Sequence, residues 1–214
     1  MNKHYVGVDL GSINDYTAIC WIERYGKVTQ PDYRVEPKWR FIEYRLWHLE
    51  RYLGEPYTTI VDRIQELLKR PELSEAKVIV DATGVGRPTI DFMKERKLKR
   101  LIPVTITGGD SVSETYVNGL YEWRVPKRDL VGVLQVLLQN EQLKSPTGIN
   151  LKDELIGELQ NFKVKLSAET GHDSYEAWRS GDHDDLVLSI ALPLWYSEYD
   201  RKQGRVVSMS NIPI

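Results

Sequence analysis

Apolar and polar positions along the chain follow two periods, one typical of strands and one typical of helices. Short β-branched runs in the first half end in an acid, a glycine or a turn, as VGVDLG at 6–11 does. The run IEYRLWHLERY at 42–52 alternates apolar and polar positions, which favours a half-exposed strand over a helix. The predicted strands are 4–10, 16–24, 27–35, 42–52, 77–81, 101–107 and 162–166.

Helical spacing replaces this alternation in several segments between and after the strands. In 57–70 apolar residues recur every three or four positions until Pro71 stops the pattern. The segment 182–199 is strongly apolar after an acidic start, and Pro193 is expected to kink it. The predicted helices are 57–70, 87–97, 127–140, 151–161 and 182–199, with polar excursions at 108–121 and 168–179.

The order of these elements predicts an α/β domain. Its central mixed β-sheet of about five or more strands is expected to be flanked by α-helices. The chain has 214 residues, of which 41% are apolar and 28% charged, a composition that argues against disorder. We therefore predict a single domain over residues 1–200 and a flexible C-terminal tail at 201–214.

The composition also excludes several classes of protein. No apolar run approaches the roughly 18–20 residues that a membrane span requires, so no membrane association is predicted. The single cysteine, Cys20, excludes an internal disulfide and a cysteine-rich zinc site. A cytoplasmic location fits both observations.

The net charge of −2 argues against a protein that coats nucleic acid, but basic residues are clustered locally. Five of the seven residues at 94–100 are basic, and two more begin the helix at 127–140. Such clusters either bind a phosphate backbone or form a solvated face. The candidate DNA-binding residues are Lys94, Arg96, Lys97, Lys99, Arg100, Lys127 and Arg128.

Acidic residues stand at the ends of three predicted elements. Asp9 and Asp81 end strands, and Asp184 and Asp185 begin the last helix. Ligands of open α/β sheets gather beyond the carboxyl ends of the strands, where Asp9 and Asp81 would be neighbours if their strands are parallel. Carboxylates this close repel each other unless a cation holds them. Oxygen ligands suit Mg²⁺ or Mn²⁺, and two such ions support in-line displacement at phosphorus.

Each of these acids also has a simpler interpretation. Asp9 and Asp81 could be turn residues at the ends of their strands, and the acids near 182–185 could cap a helix. Asp182 is best explained as such a cap. Asp15 could approach the same site from the second strand, but a turn role explains it better. The joint occurrence of the acids is more specific than any single one of them.

Several stretches together resemble the ribonuclease H-like nuclease domain of phage large terminase subunits, which belongs to the RuvC-like superfamily. The last of them, with His-Asp-Asp before an apolar helix, is the most specific. The stretches are VGVDLGSINDYTAICW (6–21), VIVDATGVGRPTIDFM (78–93), ITGGD (106–110), VPKRDLVGVLQVLLQ (125–139) and WRSGDHDDLVLSIALPLW (178–195).

The resemblance implies a catalytic set of Asp9, Asp81, Asp184, Asp185 and His183. Its four aspartates would hold two Mg²⁺ or Mn²⁺ ions. Asp9 would be shared by the metals, and Asp81 would serve mainly one of them. Asp185 is the preferred third ligand, with Asp184 close by or bridging through water. His183 would orient the scissile phosphate or a water, although it could equally be a helix-start residue.

The implied activity is that of a metal-dependent endonuclease cleaving double-stranded DNA during viral or prophage DNA packaging, in the host cytoplasm. A separate packaging ATPase, a small terminase or a portal are the implied partners. The chain has no GxxxxGK[ST] loop, so it is expected to be an excised domain or a free-standing relative without the motor.

Three alternatives stay open on the sequence. A RuvC-like resolvase would share the fold and the carboxylates. A non-catalytic DNA-binding or packaging assembly module would share the basic clusters. A sugar-kinase-like ATPase would share VGVDLGS at 6–12, but it needs two such domains, for which 214 residues are too few.

Overall fold

A mixed β-sheet organises the chain in the computed structural model, which describes residues 2–12, 14–28, 39–84, 86–168 and 183–210. The strands are β1 Lys3–Asp9, β2 Tyr16–Val28, β3 Trp39–Leu53, β4 Lys77–Asp81, β5 Leu101–Thr107, β6 Ser113–Val117, β7 Leu120–Pro126 and β8 Leu143–Lys144. The helices are α1 Tyr57–Leu67, α2 Gly86–Glu95, α3 Lys127–Gln139, α4 Lys152–Ala168 and α5 Asp185–Ser210, with a 3₁₀ turn at Pro71–Leu73.

The eight described strands form one sheet in the order β6-β7-β5-β4-β1-β2-β3-β8. β1 pairs in parallel with β4, β4 with β5, and β5 with β7, whereas β1–β2, β2–β3 and β6–β7 are antiparallel. The expected mixed sheet with flanking helices is therefore confirmed. β1 and β4 lie at its centre, which explains why residues 5–9 and 78–81 are all buried.

Alternate residues of the central strands face two separate cores. Val6 and Val8 of β1 belong to a core with apolar residues of α1 and α2, such as Ile60 and Met93. Tyr5 of β1 belongs to the opposite core, which contains buried residues of α3 and α5. The period of two along β1 thus places helices on both faces of the sheet.

Helix α5 approaches β1 unusually closely. A Cβ atom at Gly7 would lie 2.0 Å from the Ser189 carbonyl oxygen and 2.6 Å from Cδ of Pro193, so only glycine fits there. Pro193 has no N–H to donate to the Ser189 carbonyl one turn earlier. The Cys20 thiol donates to that carbonyl instead, at 3.1 Å. The helix continues through Pro193, and these contacts fix it across β1 and β2.

Two predicted segments were wrong. The predicted polar excursion at 108–121 contains β6 and the start of β7, whose turn has positive φ at Asn118 and Gly119. All but one of the β6 residues are exposed, so this strand has no apolar period to reveal it. The segment 162–166, predicted as a strand, continues α4. Extending an existing helix gains one hydrogen bond for each residue added and avoids the free-energy cost of nucleating a new element.

Other predicted segments lie partly outside the described residues. β2 ends at Val28, so most of the predicted strand 27–35 cannot be compared, and neither can the excursion after 168 or the cap at Asp182. α5 includes residues 201–210 of the predicted tail. Among the described residues, none of the helices is both long and apolar enough to cross a membrane.

We expect Gly7→Ala to destabilise the fold, because the added methyl group collides with the backbone of α5. The loss should be about 2–3 kcal/mol, the upper range for overpacking a core. The free energy of unfolding in urea measures it. Gly132→Ala in α3 is the control, since a Cβ there meets nothing within 4 Å and alanine favours a helix by roughly 0.5–1 kcal/mol. Equal stability of the two variants would contradict the close approach of α5.

Candidate metal centre

The sheet topology brings Asp9 and Asp81 together. Each is the last residue of its strand, and the strands are parallel neighbours in which Val8 pairs with Val80. Both aspartates are 7% exposed. The condition that the sequence left open, parallel pairing of the two strands, is therefore met at the carboxyl edge of the sheet.

The electrostatic environment of this pair disfavours two negative charges. Burial raises the pKa of Asp9 well above its ordinary value, and the charges of Asp81, Asp185, Asp184 and Asp15 raise it further. Burial also raises the pKa of Asp81 to about 6, although its hydrogen bonds and a nearby lysine lower it. The pair therefore favours either a shared proton or a cation.

A local turn fixes the direction of the Asp81 carboxylate. The backbone N–H of Thr83 donates to Oδ1 of Asp81 at 2.7 Å, which is an Asx turn. Asp81 therefore forms a turn, as its simpler interpretation predicted, and it also lies beside Asp9.

Asp185 reaches the same region from the first turn of α5. It is 5% exposed, and its Oδ2 atom is buried with no hydrogen-bond partner among the described residues. Burial raises its pKa to about 7, with further increases from the charges of Asp15, Glu158 and Asp184. A buried acceptor without a donor is costly, so this oxygen calls for a proton or a cation.

Asp184, next to Asp185, has a different environment. Its Oδ2 accepts a hydrogen bond from Lys127 Nζ at 2.8 Å, and its side chain is 28% exposed. Lys127 begins α3 at the carboxyl end of β7, so it lies at the same edge of the sheet as the acids. Successive helix residues point about 100° apart, and the structure turns Asp185 inward and Asp184 toward Lys127.

His183 and Asp15 lie beside Asp185. Ligand atoms of Asp15, His183 and Asp185 all fall within 4.8 Å of one another. His183 is half exposed, with Nδ1 3.7 Å from Asp185 Oδ2, and its ring packs edge-on against Tyr16 at 4.8 Å.

Sequence reasoning allowed Asp15 to approach the same site from the second strand but favoured a turn role for it. That turn exists, because the Asp15 N–H donates to the Ser12 carbonyl at 3.0 Å. The structure adds its proximity to Asp185. The signal was available, since a short connection between β1 and β2 returns Asp15 to the edge where Asp9 lies.

The candidate DNA-binding residues divide between the two ends of the sheet. Lys127 and Arg128 lie at the acidic edge, where Arg128 pairs with Asp110. The segment 94–100 leads from α2 back to the start of β5, at the opposite edge. There Arg96 pairs with Asp62, Arg100 pairs with Glu75, and Lys94 donates to the Asn118 carbonyl. The remaining predicted basic residues at that edge are Lys97 and Lys99.

The side chains present at the acidic edge fit hard divalent cations. Their donor set consists of carboxylate oxygens and one imidazole, and the thiol of Cys20 is buried elsewhere in the core. Oxygen-rich sites of this kind suit Mg²⁺ or Mn²⁺. The structural observation that most directly indicates a cation is the Oδ2 atom of Asp185, which has no hydrogen-bond partner among the described residues.

The fold is similar to that of two viral terminase nucleases. The large terminase nuclease from thermophilic phage G20c matches with a TM-score of 0.50 and 18% identity, over 90% of this chain and 81% of that chain. The human cytomegalovirus terminase nuclease domain matches with a TM-score of 0.50 and 14% identity, over 90% and 82%. The ribonuclease H-like fold that the sequence resemblance implied is thereby confirmed. No protein-family model matches the sequence, and no curated protein matches it significantly.

The raised pKa of Asp185 predicts how the metal-free protein depends on pH. Its protonated form is favoured in the folded state, so folded stability falls as the pH rises from the ordinary value of 3.8 to about 7. In EDTA at pH 8, Asp185→Asn should therefore stabilise the protein by roughly 2–4 kcal/mol, since each pKa unit between 3.8 and about 7 corresponds to roughly 1.4 kcal/mol and solvent screening reduces the sum. Thermal unfolding from pH 4 to 8 measures this. A variant no more stable than wild type at pH 8 would contradict the buried charge.

Proposed function

We propose that this protein is a divalent-metal-dependent endodeoxyribonuclease that hydrolyses phosphodiester bonds. The observation that carries the proposal is the set of buried aspartates at one edge of the sheet, where Asp9 lies beside Asp81 and Asp185 lies beside Asp15 and His183. The Oδ2 atom of Asp185 has no hydrogen-bond partner among the described residues. The ribonuclease H-like fold supports it, because both fold neighbours are nucleases by description.

The proposed ligands follow from the positions of the side chains. Asp9, whose pKa is raised by burial and by the charges of Asp81 and Asp185, is the proposed shared ligand of two Mg²⁺ or Mn²⁺ ions. Asp81 is the proposed further ligand of one ion. Asp185 is the proposed further ligand of the other ion, with His183 and Asp15 beside it. When bound, the ions would activate water and neutralise charge on the phosphate and leaving oxygen.

The remaining polar groups act around these ligands. Lys127 donates a hydrogen bond to the Asp184 carboxylate. It also places a positive charge beside the acids, which suits contact with a DNA phosphate. Tyr16 limits the position of the His183 ring, whose exposed edge is available to orient a phosphate or a water. The rigid strand ends at Asp9 and Asp81 fix the geometry before substrate arrives.

The proposed substrate is double-stranded DNA, and the proposed setting is viral or prophage DNA packaging in the host cytoplasm. The support is the likeness of the fold to two terminase nucleases. These 214 residues contain no GxxxxGK[ST] loop, and a packaging ATPase is a proposed partner that would supply the motor. A small terminase and a portal are the further proposed partners.

Removing a proposed ligand should abolish cleavage. Asp81→Ala and Asp185→Ala are expected to lose at least about 100-fold in the rate of plasmid nicking with Mg²⁺ or Mn²⁺, because charge stabilisation by the metal contributes several kcal/mol. EDTA should stop the wild-type protein completely. Glu72→Ala is the control, since this acid is exposed in the 3₁₀ turn away from the site. Cleavage that survives both ligand substitutions would contradict the assignment.

The position of Lys127 and Arg128 predicts which basic residues contribute to DNA binding near the site. In an Asp81→Ala background with EDTA, the double substitution Lys127→Gln and Arg128→Gln should weaken DNA binding. It should also reduce the slope of log K against log salt concentration by the equivalent of about one to two phosphate contacts. Lys97→Gln with Lys99→Gln, at the opposite edge, should have a smaller effect. Fluorescence anisotropy at several salt concentrations measures both. A larger effect of the second pair would place the DNA along the opposite edge.

A further inference from the structure

Glu158 is a buried carboxylate that the proposed ligand set does not use. It lies in α4, is 7% exposed, and points at the first turn of α5. Its Oε2 atom accepts the backbone N–H groups of Leu186 at 3.0 Å and Val187 at 3.2 Å. These are the two residues that directly follow Asp185.

This arrangement supplies α5 with a cap from another helix. The Asp184 carbonyl accepts the Leu188 N–H at 2.9 Å, which makes Asp184 the N-cap residue. An N-cap aspartate ordinarily accepts the second or third N–H of its own helix. Here the Asp184 side chain is held by Lys127, and Glu158 accepts both of those N–H groups instead.

An ion pair holds the other oxygen of Glu158. Arg51 of β3 donates to Oε1 at 3.0 Å, and its guanidinium lies over the Tyr16 ring at 4.3 Å. The same ring packs edge-on against His183. Glu158 therefore contacts the backbone that follows Asp185. Arg51, through the Tyr16 ring, links the same carboxylate to His183, which precedes Asp185 in the chain.

We propose that Glu158 is a positioning residue for the candidate metal centre, which holds the first turn of α5 so that the Asp185 carboxylate faces Asp9 and Asp81. Its link to metal binding rests on the proposed function, whereas its capping of α5 does not. A buried ion pair adds little net stability over a packed apolar side chain. The Glu158 carboxylate fixes the direction of the Asp185 side chain, which an apolar residue at position 158 could not do.

Mn²⁺ binding without DNA tests the link to the metal centre. Glu158→Ala should weaken Mn²⁺ binding by about 10- to 100-fold, the usual effect of removing a partner that orients a ligand. Glu158→Gln keeps the shape of the side chain and one acceptor oxygen, so this variant should fold and lose less Mn²⁺ affinity than Glu158→Ala. Glu154→Gln is the matched control, because this acid is exposed one turn earlier on α4. Calorimetry measures the affinities, and unchanged affinity in Glu158→Ala would overturn the proposal.

A double-mutant cycle distinguishes positioning from general support of the fold. If Glu158 acts through Asp185, Glu158→Ala should weaken Mn²⁺ binding much less in an Asp185→Asn background than in the wild type. A purely structural residue would weaken it equally in both backgrounds. Equal effects would therefore reject the positioning role.

Hydrogen exchange in EDTA tests the capping without reference to metal. The Leu186 and Val187 amides should exchange slowly in the wild type and at least about 10-fold faster in Glu158→Ala, with Leu192 unaffected. If this result holds while the wild-type protein binds no Mn²⁺, the proposed function fails but the fixing of the α5 turn stands. Unchanged exchange at both amides would overturn the capping itself.

Discussion

Several carboxylates are buried at one edge of the sheet, and their mutual repulsion limits how the strands and helices around them can be arranged. Asp9, Asp81 and Asp185 are each at most 7% exposed, and burial is the largest cause of the raised pKa of each. Charges in such a place are stable only when protons or cations compensate them. The structure must hold these groups together against their repulsion, and it places two of them on the central strands β1 and β4.

The position of α5 completes this arrangement through unusually specific contacts. Gly7 lets the helix lie against β1, and the Cys20 thiol satisfies the carbonyl that Pro193 leaves without an N–H. Burial raises the pKa of that thiol to about 12, so it stays protonated and able to donate. The glycine, the proline and the single cysteine are thus explained together, as parts of the contact that brings Asp185 to the strand ends. Side chains held by rigid elements keep the geometry that metal chemistry requires.

The net charge of −2 conceals a separation of charge across the sheet. Acids are concentrated at the carboxyl edge, whereas the segment 94–100 lies at the opposite edge, with two of its arginines paired to acids there. At the acidic edge, Lys127 is the residue that contacts Asp184 directly. Local potentials of this kind decide which ligands approach a site, and a sum over the whole chain does not describe them.

Most of the elements could be predicted from the sequence, as could the candidate acids Asp9, Asp81 and the Asp184–Asp185 pair, because hydrophobic period and strand ends are properties of neighbouring residues along the chain. The β6–β7 hairpin was missed, because its exposed residues carry no apolar period. The inward direction of Asp185, the pairing of Asp184 with Lys127 and the capping of α5 by Glu158 became visible only in the folded chain. These contacts join residues far apart in sequence, so they depend on strand order and on how the helices pack, which no local pattern encodes.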